Sequence, residues 1–207
     1  MKIIPDMYPD DRFPDNASKP FKINEEVVHR LRFVKLLFII NMISDNIISM
    51  SELAISNNIK LVKSKTQAQI LAVVKADAYG HGLIPVAKCA VDAGATWLGV
   101  ALLEEAILLR EAGIKVPIIS WLTPPSSDFM QAIELDIDLA IPSLKHLEVI
   151  VAAGKALGNK PRVHIEVDTG MTRGGLLGEW PEFLIAAKGA DIEVVGFWSH
   201  FARADEP

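Results

Sequence analysis

The chain has 207 residues, half of them hydrophobic, with 21 basic and 26 acidic side chains and a formal net charge of -5. This length and hydrophobic content are typical of a globular protein with one sizeable core. The net negative charge and the lack of a basic block argue against a protein that binds the phosphate backbone of a nucleic acid. A single cysteine, Cys89, excludes an intrachain disulfide framework and a zinc knuckle.

The first 45 residues differ from the rest of the chain, because prolines punctuate a polar opening and a mixed basic and apolar stretch follows. The most apolar segment, residues 33–43, contains Lys35 and Asn41. It has roughly half of the about 20 residues that a membrane span needs. The acidic, proline-bearing start does not have the layout of a signal peptide. We therefore expect no membrane partner, a cytoplasmic location and an extension of unknown role over residues 1–45.

From residue 46 onward, short β-branched runs alternate with helical patterns that end at or near glycine. The pattern predicts strands over residues 47–50, 70–75, 97–101, 116–121, 139–141, 163–168 and 194–200. It predicts helices over residues 85–93, 102–112, 127–135, 144–157 and 181–188. The spacing fits successive βα units, and Gly80-His81-Gly82 lacks the third glycine of a dinucleotide fingerprint. The sequence therefore favours an α/β protein of the (β/α) barrel type over a doubly wound sheet.

Lys75 ends the apolar run of residues 71–74 and leads into a turn that carries Tyr79 and His81. A lysine at the end of a buried strand is costly unless its charge is paired or its amine forms a covalent bond such as a Schiff base. The alternative is a lysine that extends out of the strand end into solvent. In barrels the carboxyl ends of the strands hold the active site, and Lys75, Asp168 and His200 are all predicted to lie there.

Residues 163–168 alternate, with apolar side chains on one face and His164, Glu166 and Asp168 on the other. We expect the apolar face to meet the helices and the polar face to point into the barrel mouth. The following turn, through Met171 to Arg173, can bring backbone N–H groups and a guanidinium toward an anion. Two alternatives stay open: the polar face could ligate a metal in a hydrolase, or Asp168 and Arg173 could serve only the turn and the surface.

Three segments, residues 72–82, 167–173 and 199–206, resemble in order and spacing the signatures of the N-terminal barrel domain of alanine racemases. The resemblance runs from about residue 46 to the last residue, which predicts one partial barrel domain over residues 46–207. It implies an incomplete (β/α)8 TIM-type barrel with about six of the eight βα units present. Residues 47–50 look like the family's opening strand, which belongs with its C-terminal β domain.

The resemblance implies an isomerase that uses pyridoxal 5'-phosphate to interconvert L-alanine and D-alanine, the latter for peptidoglycan. Lys75 would be the catalytic residue, holding the cofactor covalently and transferring a proton. Tyr79 would hydrogen-bond the cofactor phosphate, Arg173 would lie at the phenolic oxygen, and His200 would pack against the ring. Arg173 and the backbone N–H of Met171 would approach the substrate. The complete enzyme of this family would be a homodimer.

The sequence departs from the family pattern in two places. Glu166 stands where the family commonly carries a carbamylated lysine, and a carboxylate there keeps a negative charge near Arg173. The chain also ends at Pro207, before the family's remaining phosphate contacts and before the tyrosine that acts as the base on the opposite face of the substrate. We expect no appreciable racemase activity from this chain alone, because its two tyrosines, Tyr8 and Tyr79, do not suit the opposite-face base. A non-catalytic barrel protein that binds pyridoxal phosphate is the alternative, although such proteins lack the Tyr-Gly-His-Gly continuation.

Overall fold

A computed structural model describes residues 50–203 of the chain. The predicted extension over residues 1–45 and most of the predicted strand over residues 47–50 lie outside the described residues. The described elements are α1 (Glu52–Lys65), β1 (Leu71–Val73), α2 (Lys75–Gly80), α3 (Leu83–Asp92), β2 (Trp97–Val100), α4 (Leu103–Glu111), β3 (Ile118–Ser120), α5 (Phe129–Glu134), β4 (Asp138–Ile141), α6 (Leu144–Leu157), β5 (Arg162–Glu166), α7 (Trp180–Lys188) and β6 (Glu193–Trp198).

The six strands form one parallel sheet in the order in which they occur in the chain. Each strand pairs with the next, as where Leu98 of β2 lies opposite Ile118 of β3. Within the described part of the chain β1 and β6 do not pair with each other, so the sheet is open. Sequential parallel strands with intervening helices are the arrangement of a (β/α) barrel, and the predicted fold class is confirmed as an open part of such a barrel.

The hydrophobic core lies between one face of the sheet and the helices. Every residue of β3 and β4 is buried, whereas Leu71 and Val73 on the edge strand β1 are 39% and 49% exposed. Val163 and Ile165 belong to this core, which confirms that the apolar face of β5 meets the helices. Burying a large aliphatic side chain contributes about 1.5–3 kcal/mol, so the strands β3 and β4 contribute more to stability than the partly exposed edge strand β1.

The helix ends follow local sequence signals. In α6 the Ser143 side chain accepts a hydrogen bond from the His146 N–H, and Gly158 ends the helix in the left-handed conformation. The α1 helix was not predicted, although Ser51 caps it by accepting from the Ala54 N–H. The longest described helices have 14 residues, and none of the helices between residues 50 and 203 could span a membrane.

Candidate functional site

Three of the predicted site residues lie just beyond the strands rather than within them. Lys75 follows the end of β1 by two residues, Asp168 follows the end of β5 by two, and His200 follows the end of β6 by two. The predicted strands over residues 70–75, 163–168 and 194–200 were therefore too long at their carboxyl ends. Beyond β1, the Val74 N–H still donates to the Gly99 carbonyl at 2.9 Å, and the chain then turns away from the sheet.

The turn after β1 is a single left-handed helical turn, α2. Ala76, Asp77, Ala78 and Tyr79 have φ between 49° and 56°, and none of them is glycine. The left-handed conformation costs roughly 1–2 kcal/mol for each non-glycine residue. The turn therefore requires stabilising side-chain contacts, and strain of this kind concentrates at functional sites.

Two side chains of the segment itself support the left-handed turn. The Asp77 Oδ1 accepts a hydrogen bond from the Leu83 N–H at 2.7 Å. The His81 Nδ1 lies 3.1 Å from the Ala78 carbonyl and 3.2 Å from the Tyr79 carbonyl. Tyr79 itself is 65% exposed, so its phenol is on the surface beyond Lys75, which is half-buried.

A third support comes from α4. The Glu105 carboxylate accepts a hydrogen bond from the Ala76 N–H through one oxygen and from the Ala101 and Leu102 N–H groups through the other. Glu105 therefore ties the loop after β1 to the loop after β2. We did not predict this contact, because it joins residues 29 apart in the sequence.

At the other edge of the sheet, the loops after β5 and β6 form one cavity. Met171, Arg173 and His200 line it together with Glu166 and Asp168, and Val167, Thr169 and Gly174 complete the lining. Lys75 and Tyr79 are not part of this cavity, because β1 and β6 are separated by the four strands β2 to β5 in the open sheet. The structure thus brings together three of the five predicted binding residues and leaves two at the opposite edge.

The two acidic residues of the cavity have opposite electrostatic environments. Burial raises the pKa of Glu166, the positive charges of Arg173 and His200 oppose that change, and Asp168 adds to it. The pKa of Asp168 is lowered because its carboxylate accepts hydrogen bonds from the Gly170 and Thr172 N–H groups, at 2.8 and 3.1 Å. The N–H groups of Gly170 and Thr172 therefore point to a carboxylate of their own loop, and their approach to a bound anion stays a prediction.

The loop after β5 is fixed to the sheet on both sides. Leu176 donates its N–H to the Glu166 carbonyl at 2.8 Å and accepts from the Asp168 N–H at 3.3 Å. Gly175 has a φ of 100°, and a Cβ there would lie 2.6 Å from the Asp168 nitrogen, so only glycine fits. The Thr169 and Ser199 hydroxyls share a hydrogen bond, which joins this loop to the end of β6. The cavity walls are thereby held in place.

His164 shares the interior face of Glu166, but it belongs to a different polar cluster at the amino end of the strands. Its Nε2 lies 2.9 Å from the Asp138 Oδ2, and the Arg162 Nε lies 2.7 Å from the Asp138 Oδ1. Trp97 packs edge-on against the imidazole, with ring centroids 5.4 Å apart. Sequence reasoning missed Asp138 and Arg162, because the predicted strands began one residue later in both cases.

The metal-ligand alternative for residues 164–168 receives no support from this arrangement. The His164 imidazole is bound to Asp138, and the Asp168 carboxylate is bound to the backbone of its own loop. Between residues 50 and 203 there is no group of three or more His, Cys, Asp or Glu side chains that could hold a metal ion. Glu166 lies instead against Gly174 in the cavity.

Parallel βα units define an α/β barrel-type protein. Its candidate ligand site is at the carboxyl ends of the strands, where the lysine, the arginine, the histidine and the two carboxylates lie. Residues 51–207 match the family model described as alanine racemase, N-terminal domain. The chain belongs to this family, which confirms the resemblance inferred from the sequence motifs.

Individual relatives agree with the family match. The alanine racemase of Salinispora tropica is 46% identical over 159 residues, which cover 74% of this chain and 43% of that protein. The solved alanine racemase from D-cycloserine-producing Streptomyces lavendulae has a TM-score of 0.72 and 40% identity, covering 75% of this chain and 42% of that one. The Bacillus anthracis alanine racemase with bound L-Ala-P has a TM-score of 0.68 and 38% identity, with 75% and 41% covered. This chain therefore spans less than half the length of these relatives.

Proposed function

We propose that this chain carries the cofactor-binding lysine of an amino-acid racemase that interconverts L-alanine and D-alanine. The observation that carries the proposal is Lys75, placed just after the carboxyl end of β1 by a strained turn that three side chains support. Membership of the alanine racemase family supports the reaction type. In the cell we assign the protein to D-alanine supply for peptidoglycan, in the cytoplasm, as part of a homodimer.

The described residues fit pyridoxal 5'-phosphate. The half-buried amine of Lys75 suits the aldehyde, the exposed phenol of Tyr79 suits the phosphate, and Arg173 and His200 suit the phenolic oxygen and the ring. When bound, this cofactor withdraws electrons from the carbon whose proton is removed. In a closed barrel, the cavity of Met171, Arg173 and His200 would face the Lys75 turn across the barrel mouth. In the open six-stranded sheet the cavity and the turn lie at opposite edges.

Each residue has a distinct task in this proposal. The Lys75 amine removes or returns the proton at the substrate α-carbon. The Glu166 carboxylate, whose pKa is raised by burial and lowered in part by the Arg173 charge, would orient the Arg173 guanidinium. The N–H of Met171 would approach the substrate carboxylate; in the loop as described it interacts with the Asp168 carboxylate and helps to lower the pKa of Asp168. A second base on the opposite face of the α-carbon must come from another polypeptide segment, since racemisation exchanges the two faces.

Reductive labelling tests the central assignment. The purified chain is incubated with pyridoxal phosphate and borohydride, digested and mapped for the labelled lysine. We expect the label on Lys75 and its loss in Lys75→Ala, while Lys88→Ala, on the exposed side of α3, keeps it. A label on another lysine, or on none, would contradict the proposal. Chiral chromatography of the same chain with L-alanine should show turnover far below about 1 per second.

A further inference from the structure

Glu105 uses its two carboxylate oxygens for different purposes. One oxygen accepts the Ala101 and Leu102 N–H groups, each at 3.0 Å, at the start of α4. The other oxygen accepts the Ala76 N–H in the left-handed turn that follows Lys75. A single carboxylate therefore joins the first turn of α4 to the peptide group that connects Lys75 and Ala76.

We infer that Glu105 is a positioning residue for Lys75, an inference that rests on the proposed function. The Ala76 N–H belongs to the peptide group whose carbonyl comes from Lys75. Fixing that group sets the Lys75 ψ angle, and with it the direction in which the lysine side chain leaves the end of β1. Glu105 touches neither the amine nor a ligand in this role, because it acts through the main chain.

The turn needs such an anchor at this position. Ala76 is the first of the four consecutive non-glycine residues with positive φ. Further along, the turn is closed by the Ala78 N–H, which donates to the Val74 carbonyl at 3.0 Å, and by the Gly82 N–H, which donates to the Asp77 carbonyl at 3.1 Å. At its start the turn is held by the Ala76 bond to Glu105. Bonds to an ionised acceptor are roughly twice as strong as neutral ones.

Capping of α4 alone does not account for this geometry. In a capping box, a glutamate three residues after the N-cap residue reaches back to the N-cap N–H, and the Glu105 oxygen that faces Leu102 does this. The bond to Ala76 is additional. Glu105→Gln separates the two uses, because its amide oxygen can still cap the helix. Its NH2 group would then face the Ala76 N–H, donor against donor.

The experiment compares wild type, Glu105→Gln and Glu104→Gln, which alters an exposed carboxylate on the same helical turn. In the labelling step, the Lys75 amine condenses with the aldehyde of pyridoxal phosphate, water leaves, and borohydride adds hydride to the carbon–nitrogen double bond. We expect Glu105→Gln to label Lys75 about tenfold more slowly. The Ala76 amide should exchange with deuterium about tenfold faster, while the Ala101 amide and the thermal unfolding temperature stay at the Glu104→Gln values.

The two readouts separate the failure of this inference from the failure of the proposed function. Unchanged Ala76 exchange in Glu105→Gln would overturn the positioning role, whatever the labelling shows. Faster Ala76 exchange in a protein that never labels Lys75 would overturn the proposed function and support the link from Glu105 to the turn. If Glu105→Gln does not fold, Glu105→Asp replaces it, because its shorter side chain cannot reach both loops. Wild-type exchange and labelling in that variant would also refute the inference.

Discussion

The interior face of β4 and β5 carries two polar clusters, one at each end of the strands, and they differ in how their charges are neutralised. At the amino end, Asp138 is fully buried and bound by Arg162 and His164. At the carboxyl end, Glu166 is 7% exposed, and its basic neighbours, Arg173 and His200, lie on exposed loops. In the first cluster the carboxylate is bound by side chains of the protein, whereas in the second the basic side chains lie on the surface, where a ligand can reach them.

This difference separates structural polar residues from functional ones on the same strand. A buried carboxylate with hydrogen-bonded basic partners stabilises the fold only while every partner is present. Burial raises the pKa of Glu166, and its exposed basic neighbours only partly oppose that change. Such a group is a candidate for chemistry or ligand orientation. Strand alternation correctly predicted that His164 and Glu166 share one face. Only their neighbouring side chains show that His164 belongs to the amino-end cluster and Glu166 to the cavity.

The largest expected effect is at the amino end. Asp138→Asn should lower the free energy of unfolding by about 3 kcal/mol, because Arg162 and His164 lose their shared charged acceptor. Arg162 keeps Glu193 at 3.1 Å, which limits the loss. Asp136→Asn is the matched control, since Asp136 is 78% exposed and lies 3.7 Å from the same guanidinium; it should cost less than about 1 kcal/mol. Equal losses in urea unfolding would show that the amino-end cluster is not a closed network.

The opposite sign is expected at the carboxyl end. Glu166→Gln should raise the free energy of unfolding at pH 7, by about 1 kcal/mol at most, because it removes the cost of ionising a buried carboxyl group. In a complete enzyme the same change should lower racemase activity more than Glu166→Asp does, since Arg173 loses its charged neighbour. Urea unfolding and chiral chromatography measure the two effects. A destabilised Glu166→Gln, or full activity in both variants, would contradict this view of the carboxyl end.

Much of the barrel could be predicted from the sequence because its signals are local. The α6 helix has the predicted bounds, since Ser143 caps its start and Gly158 ends it. The strands were found because β-branched runs separated by helical patterns produce sequential parallel pairing. Met171, Arg173 and His200, whose roles the family resemblance implied, lie in one cavity because loops after neighbouring parallel strands meet at one edge of the sheet.

The rest depended on contacts that local patterns do not contain. The left-handed turn after Lys75 has no glycine where one would be expected, and it is held by Glu105 from 29 residues away. Asp138 and Arg162 were left out of their predicted strands because a charged residue does not continue an apolar run. Their contact with each other offsets the cost of burying the Asp138 carboxylate. The α1 helix was missed because Ile55 is its one fully buried residue, so its pattern is weak.

The two carboxyl groups of the cavity should titrate in opposite directions from their ordinary pKa values. Carbon-13 NMR should find the Glu166 midpoint above 4.5 and the Asp168 midpoint below 3.8. A raised pKa means that the folded state holds its proton more tightly, so the Glu166 contribution favours folding at low pH and is lost as the pH rises through the raised pKa. The Asp168 contribution is present above its ordinary pKa and is lost as the pH falls through the lowered one. Glu166→Gln should abolish the first change and leave the second.

The smallest effect is expected from Asp168→Asn. Its amide oxygen can accept the same Gly170 and Thr172 N–H groups that the Asp168 Oδ1 accepts, and asparagine favours this kind of turn as aspartate does. The loop should therefore keep its conformation, and the urea midpoint at pH 7 should fall only slightly, by the small contribution that the lowered pKa of Asp168 makes to stability. Asp168→Ala, which has no acceptor, should release the loop and speed amide exchange at Gly170 and Thr172. If Asp168→Asn instead destabilised the protein as much as Asp138→Asn, the charge of Asp168 would be part of a closed network, and the distinction between the two ends of the strands would fail.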